Sequence, residues 1–171
     1  MKYDDIKVKC DEPYPEIVDA ENSPHTVSIL KNLASGRSGE FTAISQYTYQ
    51  HIVSNSHEED VAKILEEIGI VEMRHLEMLS SAIVSFGGKP VFQDGRGQYF
   101  TTSYANYTTN LKEMLKSNVR MESGAVTDYE QAAQRVNNES LKQLLLRIRD
   151  DERLHLKVFK HLLESVEFFG K

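Results

Sequence analysis

Residues 139–168 run ESLKQLLLRIRDDERLHLKVFKHLLESVEF, and the spacing of their apolar residues decides the fold. Leu141, Leu144, Leu145, Ile148, Leu154, Phe159, Leu162, Leu163 and Val166 follow one another mostly in steps of three and four. That is the stripe of an amphipathic helix, with none of the alternation a strand would show. Residues 57–86 repeat it with Val61, Ile64, Leu65, Ile68, Leu76, Leu79 and Ile83.

Working outward, the prolines stand only at 13, 15, 24 and 90, so the chain beyond Ser23 is almost free of helix breakers. A first helix is predicted over about 24–54, opened by the cap Ser23 and by Pro24 at the first helical position. The second covers about 57–86, opened by the capping box Ser56-x-x-Glu59 and stopped at Gly87-Gly88. The third covers about 111–136, opened by Asn110-x-x-Glu113, and the fourth about 139–168. At 1.5 Å per residue such helices run about 40 to 46 Å. Two- or three-residue links make helices one and two, and three and four, antiparallel hairpins. The stretch 87–110 is long enough, at about 3.3 Å per residue, to cross from one end of a bundle to the other. Its aromatics, Phe92, Tyr99, Phe100, Tyr104 and Tyr107, suit packing across the bundle or a subunit contact equally. The expected architecture is all-α, a four-helix bundle of two antiparallel hairpins joined by a long crossover. Residues 1–22 read as an extended arm and 23–170 as the bundle.

Composition narrows the function. Of 171 residues 40% are hydrophobic and 27% charged, with a net charge of −6, which fits one globular domain and argues against a nucleic-acid partner. The lone Cys10 excludes an internal disulfide and any four-cysteine metal site. No apolar run reaches the roughly 18 residues of a membrane span, and the polar start shows no signal peptide. A cytoplasmic, non-membrane protein is expected.

Two helices carry the same spacing, Glu72-Met73-Arg74-His75 and Glu152-Arg153-Leu154-His155. Residues three apart share a helix face, so each unit points a carboxylate and an imidazole at one spot. One such spacing is unremarkable, and position is the stronger argument. Glu40, Glu72, Glu122 and Glu152 each fall near the middle of their helix, and midpoints of equal helices in a bundle lie at one level. Their helical neighbours are apolar: Ile44 and Tyr47 after Glu40, Val119, Val126 and Tyr129 around Glu122. Buried together, four carboxylates require compensating charge, because each uncompensated one costs several kcal/mol, about as much as a buried ion. Cations or protons can supply it, and two divalent metals would balance the four carboxylates, with the histidines as neutral ligands. The halves also repeat: Glu40-x6-Tyr47 and Glu122-x6-Tyr129 are 82 residues apart, the two Glu-x-x-His units 80. His25, His51, His57 and His161 lack a glutamate three residues before and read as surface or capping residues.

One glutamate from each of two helices and Glu-x-x-His from the other two is the pattern of ferritin-like di-metal carboxylate proteins, and the sequence resembles that superfamily over roughly residues 13–168. The segment Gly39-Glu40-Phe41-Thr42-Ala43-Ile44-Ser45-Gln46-Tyr47 is similar to the first helix of bacterioferritins and of manganese-catalase relatives. Glu72 through Gly87-Gly88-Lys89-Pro90, and Asp151-Glu152-x-x-His155, are similar to bacterioferritin helices. Pro13-Tyr14-Pro15-Glu16-Ile17 and Leu76-Glu77-Met78-Leu79 look closer to manganese catalases and their spore-coat relatives. The resemblance implies that Glu72 and Glu152 bridge two metals while Glu40 and Glu122 are terminal, with one histidine, His75 or His155, per metal. It implies hydrogen-bonding or redox roles for Tyr47 and its counterpart Tyr129. Asp151, four residues before His155, is expected to orient that imidazole, and the first half has Val71 at the matching place. Met73 stands where bacterioferritins carry a haem-binding methionine, which would make haem a further cofactor, although an exposed or core residue is the commoner meaning of such a methionine.

Departures narrow the expectation. The sixteen residues after His155 only complete helix four, which disfavours a large storage cage with a fifth helix. One cysteine excludes the rubredoxin domain of rubrerythrins, and Ala125 stands where they often have a further glutamate. Manganese catalases have a longer crossover. The expected protein is an oxidoreductase cycling two iron or two manganese ions against O2 or H2O2, as a ferroxidase, a peroxide scavenger or a manganese-catalase-like enzyme, assembled as a homo-oligomer. The alternative is iron sequestration or a spore-coat-like structural subunit in which the metals brace the bundle.

Overall fold

Four predicted helices become five. In the computed structural model, which describes residues 6–169, they are α1 Pro24–Ser35, α2 Glu40–Ser54, α3 Glu59–Ser85, α4 Leu111–Arg135 and α5 Glu139–Phe169. Residues 1–5 of the expected arm and Gly170 of the expected bundle lie outside the described residues. The predicted continuous helix over 24–54 is corrected: residues 36–39 break it, and α1 and α2 follow one another along α3 as two parts of one rod. The cause is backbone crowding. A Cβ on Gly36 would lie 2.4 Å from the Asn32 carbonyl oxygen, and one on Gly39 2.4 Å from that of Leu33. Only glycine permits this approach, and Gly39 then starts a new helix by accepting from the N–H groups of Thr42 and Ala43.

The remaining ends follow local signals with one exception. The Ser23 hydroxyl accepts from Thr26 N, and the Asn110 side chain accepts from Glu113 N at 3.0 Å, each satisfying one donor that the helix leaves unpaired. Asn138 does the same for Leu141 N at the start of α5. The predicted Ser56 capping box is not formed. The Ser54 carbonyl instead accepts from His57 N and Glu58 N, and α3 starts at Glu59.

The α2–α3 and α4–α5 pairs are antiparallel hairpins, and the crossover makes α3 and α4 parallel. The crossover holds to α1 through Asn32, which accepts from Gly95 N, and to α2 through Gln46, which accepts from Asn106 N. Phe41 receives Phe92 and Phe100 at ring separations of 4.6 and 4.5 Å. Among the described residues no strand forms, and no helix is long and apolar enough to cross a membrane.

The core is two apolar clusters rather than one. Leu30, Leu79, Ile83, Leu141, Leu145 and Ile148 fill one end of the bundle. Tyr47, Ile64, Leu65, Ile68, Leu115 and Phe159 fill the other. Between them lies a buried polar layer. Residues 6–22 form no helix and lie along α5 of their own chain, with Ile6 and Val8 on one cluster and Tyr14 and Ile17 on the other.

Candidate metal centre

The polar layer contains the six residues picked out by spacing. Glu40, Glu72, His75, Glu122, Glu152 and His155 are all buried, between 0 and 5% exposed. They form two groups, Glu40–Glu72–His75–Glu152 and Glu72–Glu122–Glu152–His155, within each of which one ligand atom per residue lies within 4.8 Å of all the others. Glu72 and Glu152 belong to both. Because α3 and α5 are antiparallel, each of these glutamates divides its oxygens between the histidines. His75 Nδ1 is 2.9 Å from Glu72 Oε2 and 3.0 Å from Glu152 Oε1. His155 Nδ1 is 3.0 Å from Glu72 Oε1 and 3.4 Å from Glu152 Oε2. Glu40 and Glu122 stand farther out, at 4.0 Å from His75 Nδ1 and 3.8 Å from His155 Nδ1.

Tyrosines hold these outer glutamates, each from the opposite half of the repeat. The Tyr47 hydroxyl donates to Glu122 and the Tyr129 hydroxyl to Glu40. The exchange follows from geometry: α2 and α4 are antiparallel, so two turns beyond one glutamate is level with the other. Burial, then the facing carboxylate, pushes both phenols well above their ordinary pKa, so they remain neutral donors.

The donor set fits two divalent cations. Glu72 Oε1, Glu152 Oε1 and His155 Nδ1 are buried in the layer and make no well-formed hydrogen bond; close carboxylate–imidazole pairs hold them instead, and cations would supply the directed partners that such buried atoms need. Without cations, protons balance the charge. Burial and the neighbouring carboxylates of Glu72 and Glu152 push Glu40 and Glu122 well above the usual carboxylate range. Burial opposes ionisation of Glu72 and Glu152 too, and for Glu152 so does the charge of Glu72. The two imidazoles outweigh this and hold both carboxyls below that range. His75 and His155 are raised far above their ordinary value despite burial, by contacts to Glu72 and Glu152 and, for His75, Asp151. Two imidazolium charges thus offset two carboxylates, and two divalent ions would displace four protons in keeping the layer neutral.

Outside the layer the two histidines differ. His75 Nε2 lies 3.2 Å from Asp151 Oδ2, and Asp151 also accepts from Tyr14 OH at 2.6 Å and Cys10 N at 2.7 Å and pairs with Arg147 at 2.8 Å. Burial opposes this carboxylate's charge, but those donors hold its pKa below the usual range. The expectation that Asp151 orients His155 is therefore corrected. One turn before His155 on α5 is level with the other histidine on antiparallel α3. His155 Nε2 instead donates to the Val8 carbonyl, at 2.8 Å. Arg147 anchors the same segment by donating to the carbonyls of Glu12 and Cys10.

On the opposite side the glutamates face a cleft of about 360 Å³, floored by Glu40, Glu72, Glu122 and Glu152 and bordered by Ala125 and Arg37. The break at residues 36–39 forms one wall. Met73 is half exposed on another face of α3, so the structure does not bring it to the six.

Known proteins share this fold. Residues 31–163 match the model of the Rubrerythrin family. The chain belongs to the rubrerythrin family. Among relatives by sequence, the uncharacterised protein YhjR of Bacillus subtilis is 29% identical over 135 residues, which is 79% of this chain and 86% of that one. A probable manganese catalase of Clostridium acetobutylicum is 22% identical over 174 residues, covering 90% and 76%. Among solved structures, the manganese catalase KatB from Anabaena superposes with a TM-score of 0.84 at 26% identity, over 92% of this chain and 80% of that one. A bacterioferritin from Desulfovibrio desulfuricans gives 0.72 at 23% identity, over 85% and 82%, a likeness of fold alone. The ferritin-like all-helical architecture expected from the sequence is thereby shown for this rubrerythrin-family chain.

Three neighbours of the centre escaped sequence reasoning: the Val8 carbonyl, Tyr14 and Arg147. Tyr14 lies in the Pro13-Tyr14-Pro15 segment, whose prolines signal an ordered, extended path. A backbone carbonyl leaves no sequence signal at all.

Proposed function

We propose that this protein is a di-metal oxidoreductase that consumes hydrogen peroxide, with Glu72 and Glu152 bridging two manganese or two iron ions and Glu40, His75, Glu122 and His155 as terminal ligands. The observation that carries this reading is the pair of four-residue groups sharing two glutamates at the floor of an open cleft. A merely bracing site needs no path for a substrate. Relatedness to two manganese catalases supports the same chemistry. When bound, such a metal pair supplies redox equivalents and a clamp for both oxygens of a two-oxygen substrate. Carboxylate and imidazole donors suit manganese and iron alike.

The chain's own residues do the rest. Tyr47 and Tyr129 fix the rotamers of Glu122 and Glu40 and leave each a second carboxylate oxygen for the metal. Asp151 and the Val8 carbonyl take the Nε2 protons of the histidines, so that both present Nδ1 inward. The apolar clusters above and below restrict water to the cleft side.

The test is to strip the protein with a chelator, reload it with Mn2+ or Fe2+, count metals by mass spectrometry, and follow peroxide loss and O2 evolution. Two ions per chain with peroxide consumption above that of the free ions is the expected result. O2 evolution marks a catalase, and consumption only with an added reductant marks a peroxidase. Two ions held without peroxide consumption would replace this reading with sequestration or bracing.

A further inference from the structure

The internal repeat is faithful among the residues facing the layer and fails immediately behind them. Glu72, His75, Glu152 and His155 match at an offset of 80 residues, but Asp151 on α5 corresponds to Val71 on α3. Asp151 is a buried carboxylate that accepts from His75 Nε2 and is itself held by Tyr14, Cys10 N and Arg147. By the same symmetry Val71 stands behind His155, and it can accept nothing. The N-terminal segment fills the gap with one neutral acceptor, the Val8 carbonyl at 2.8 Å. An anionic acceptor strengthens an imidazole as a ligand more than a neutral carbonyl does. The carbonyl is also held less directly: Ile6 and Val8 seat their segment on the second apolar cluster by side-chain packing, and the hydrogen bonds that tie it to α5 come farther along, from Cys10 N to Asp151 and from Arg147 to the Cys10 and Glu12 carbonyls.

We propose that the two metal positions are inequivalent by construction: the His75 position fills first and tightly, and the His155 position fills second under the control of the N-terminal segment. Residues 6–8 are positioning residues for the second metal. They touch neither metal nor substrate and act through His155. Displacement of this segment by a partner or a chain terminus would release one ion of the pair and leave the other in place. This inference rests on the metal reading above.

The test titrates Mn2+ into metal-free, full-length protein and follows electron paramagnetic resonance, with anomalous scattering from crystals at one equivalent. Isolated-ion spectra should persist up to one equivalent, with density at the His75 position, and a coupled-pair signal should grow between one and two. The two dissociation constants should differ by about 10- to 100-fold, the usual effect of an outer hydrogen-bond partner. The double substitution Ile6→Asp, Val8→Asp unseats the segment while leaving Asp151, Tyr14 and Arg147 intact. It should weaken the second step by about tenfold or more and leave the first within about threefold. Val71→Asp added to that background supplies the missing acceptor and should restore the second step. Asp151→Asn, which keeps the shape and removes the charge, should narrow the gap between the steps. Equal density at both positions at one equivalent, or equal weakening of both steps by the Ile6/Val8 change, overturns the proposal while leaving a two-metal site. If the unmodified protein takes up no metal, the metal reading itself falls and this inference with it.

Discussion

On one side of the metal layer the outward nitrogens of His75 and His155 are covered by Asp151 and by residues 6–14, and the cover is dense with hydrogen bonds. On the other, Glu40, Glu72, Glu122 and Glu152 face a cleft beside a helix broken at residues 36–39. The six inward residues repeat almost identically between the halves of the chain. The break and the cover each occur once. Differentiation of the two sides therefore comes from features that the duplication does not repeat, which leaves ligand geometry on the sealed side undisturbed while the open side handles traffic.

The largest effect that would break this comparison comes from a residue serving both groups. Glu152→Ala should empty both metal positions together, weakening each by more than the roughly 100-fold loss that an outer partner causes. Metal analysis after dialysis checks it, and loss of one ion alone would mean that Glu152 is not shared. Next comes the open side. Ala125 lines the cleft and is not itself a proposed ligand, so Ala125→Phe should narrow the cleft and lower peroxide turnover on the order of tenfold or more while two metals remain. Unchanged turnover would place the substrate path elsewhere.

Removing metal should reverse the pH dependence of stability. His75 and His155 have raised pKa values in the metal-free fold, so their contribution is full below their ordinary value near 6.5 and is lost as pH rises through the raised ones. Glu40 and Glu122 are raised from about 4.5 by burial and resist ionisation, which also disfavours the fold as pH climbs. Glu72, Glu152 and Asp151 are lowered, and their contribution is lost only in acid. Metal-free protein should therefore be most stable between about pH 4.5 and 6.5 and lose stability above that window, whereas stabilisation by added Mn2+ should grow with pH. Parallel thermal melts with and without metal would decide it, and identical pH profiles would mean that protons and metal do not compete for the same atoms.

How much of this was legible in the sequence follows from where the information lies. Periodicity located the rods, and the duplicated Glu-x-x-His spacing with the mid-rod positions of Glu40 and Glu122 pointed to six residues at one level, although Glu40 opens α2 and is central only in the combined α1–α2 rod. The break at residues 36–39 was not visible, since a glycine tolerated inside a helix and one required by a close backbone approach look alike in sequence, and only the fold puts the Asn32 and Leu33 carbonyls where their Cβ atoms would lie. The exchange of partners by Tyr47, Tyr129 and Asp151 was missed for another reason. Assigning Asp151 to the histidine of its own helix ignores that α3 and α5 are antiparallel, which shifts the contact into the other half, and the spacing of Tyr47 and Tyr129 named no partner for either. The Val8 carbonyl had no side-chain signal to read.

The break itself can be tested through Gly39. A Cβ there meets the Leu33 carbonyl oxygen at 2.4 Å, which is backbone and cannot swing aside. Gly39→Ala should cost about 2 to 3 kcal/mol in denaturant unfolding, and the same change at Gly124, where a Cβ meets nothing within 4 Å, should be neutral or slightly stabilising.

The smallest effect belongs to the sealed side. Tyr14 OH gives Asp151 Oδ2 a 2.6 Å hydrogen bond and lies 3.5 Å from His75 Nε2, and its pKa is pushed up to about 12 chiefly by burial, so it stays a donor across the working range. Tyr14→Phe removes that donor, yet Asp151 keeps Cys10 N, Arg147 and His75, and the ring keeps its place under the Arg147 guanidinium at 4.4 Å. The expected cost is about 1 kcal/mol, with metal content unchanged. A cover with several redundant donors should absorb the loss of one in this way. If Tyr14→Phe instead released metal from the His75 position, Asp151 would depend on this one hydroxyl, and the sealed side would be as fragile as the segment that carries it.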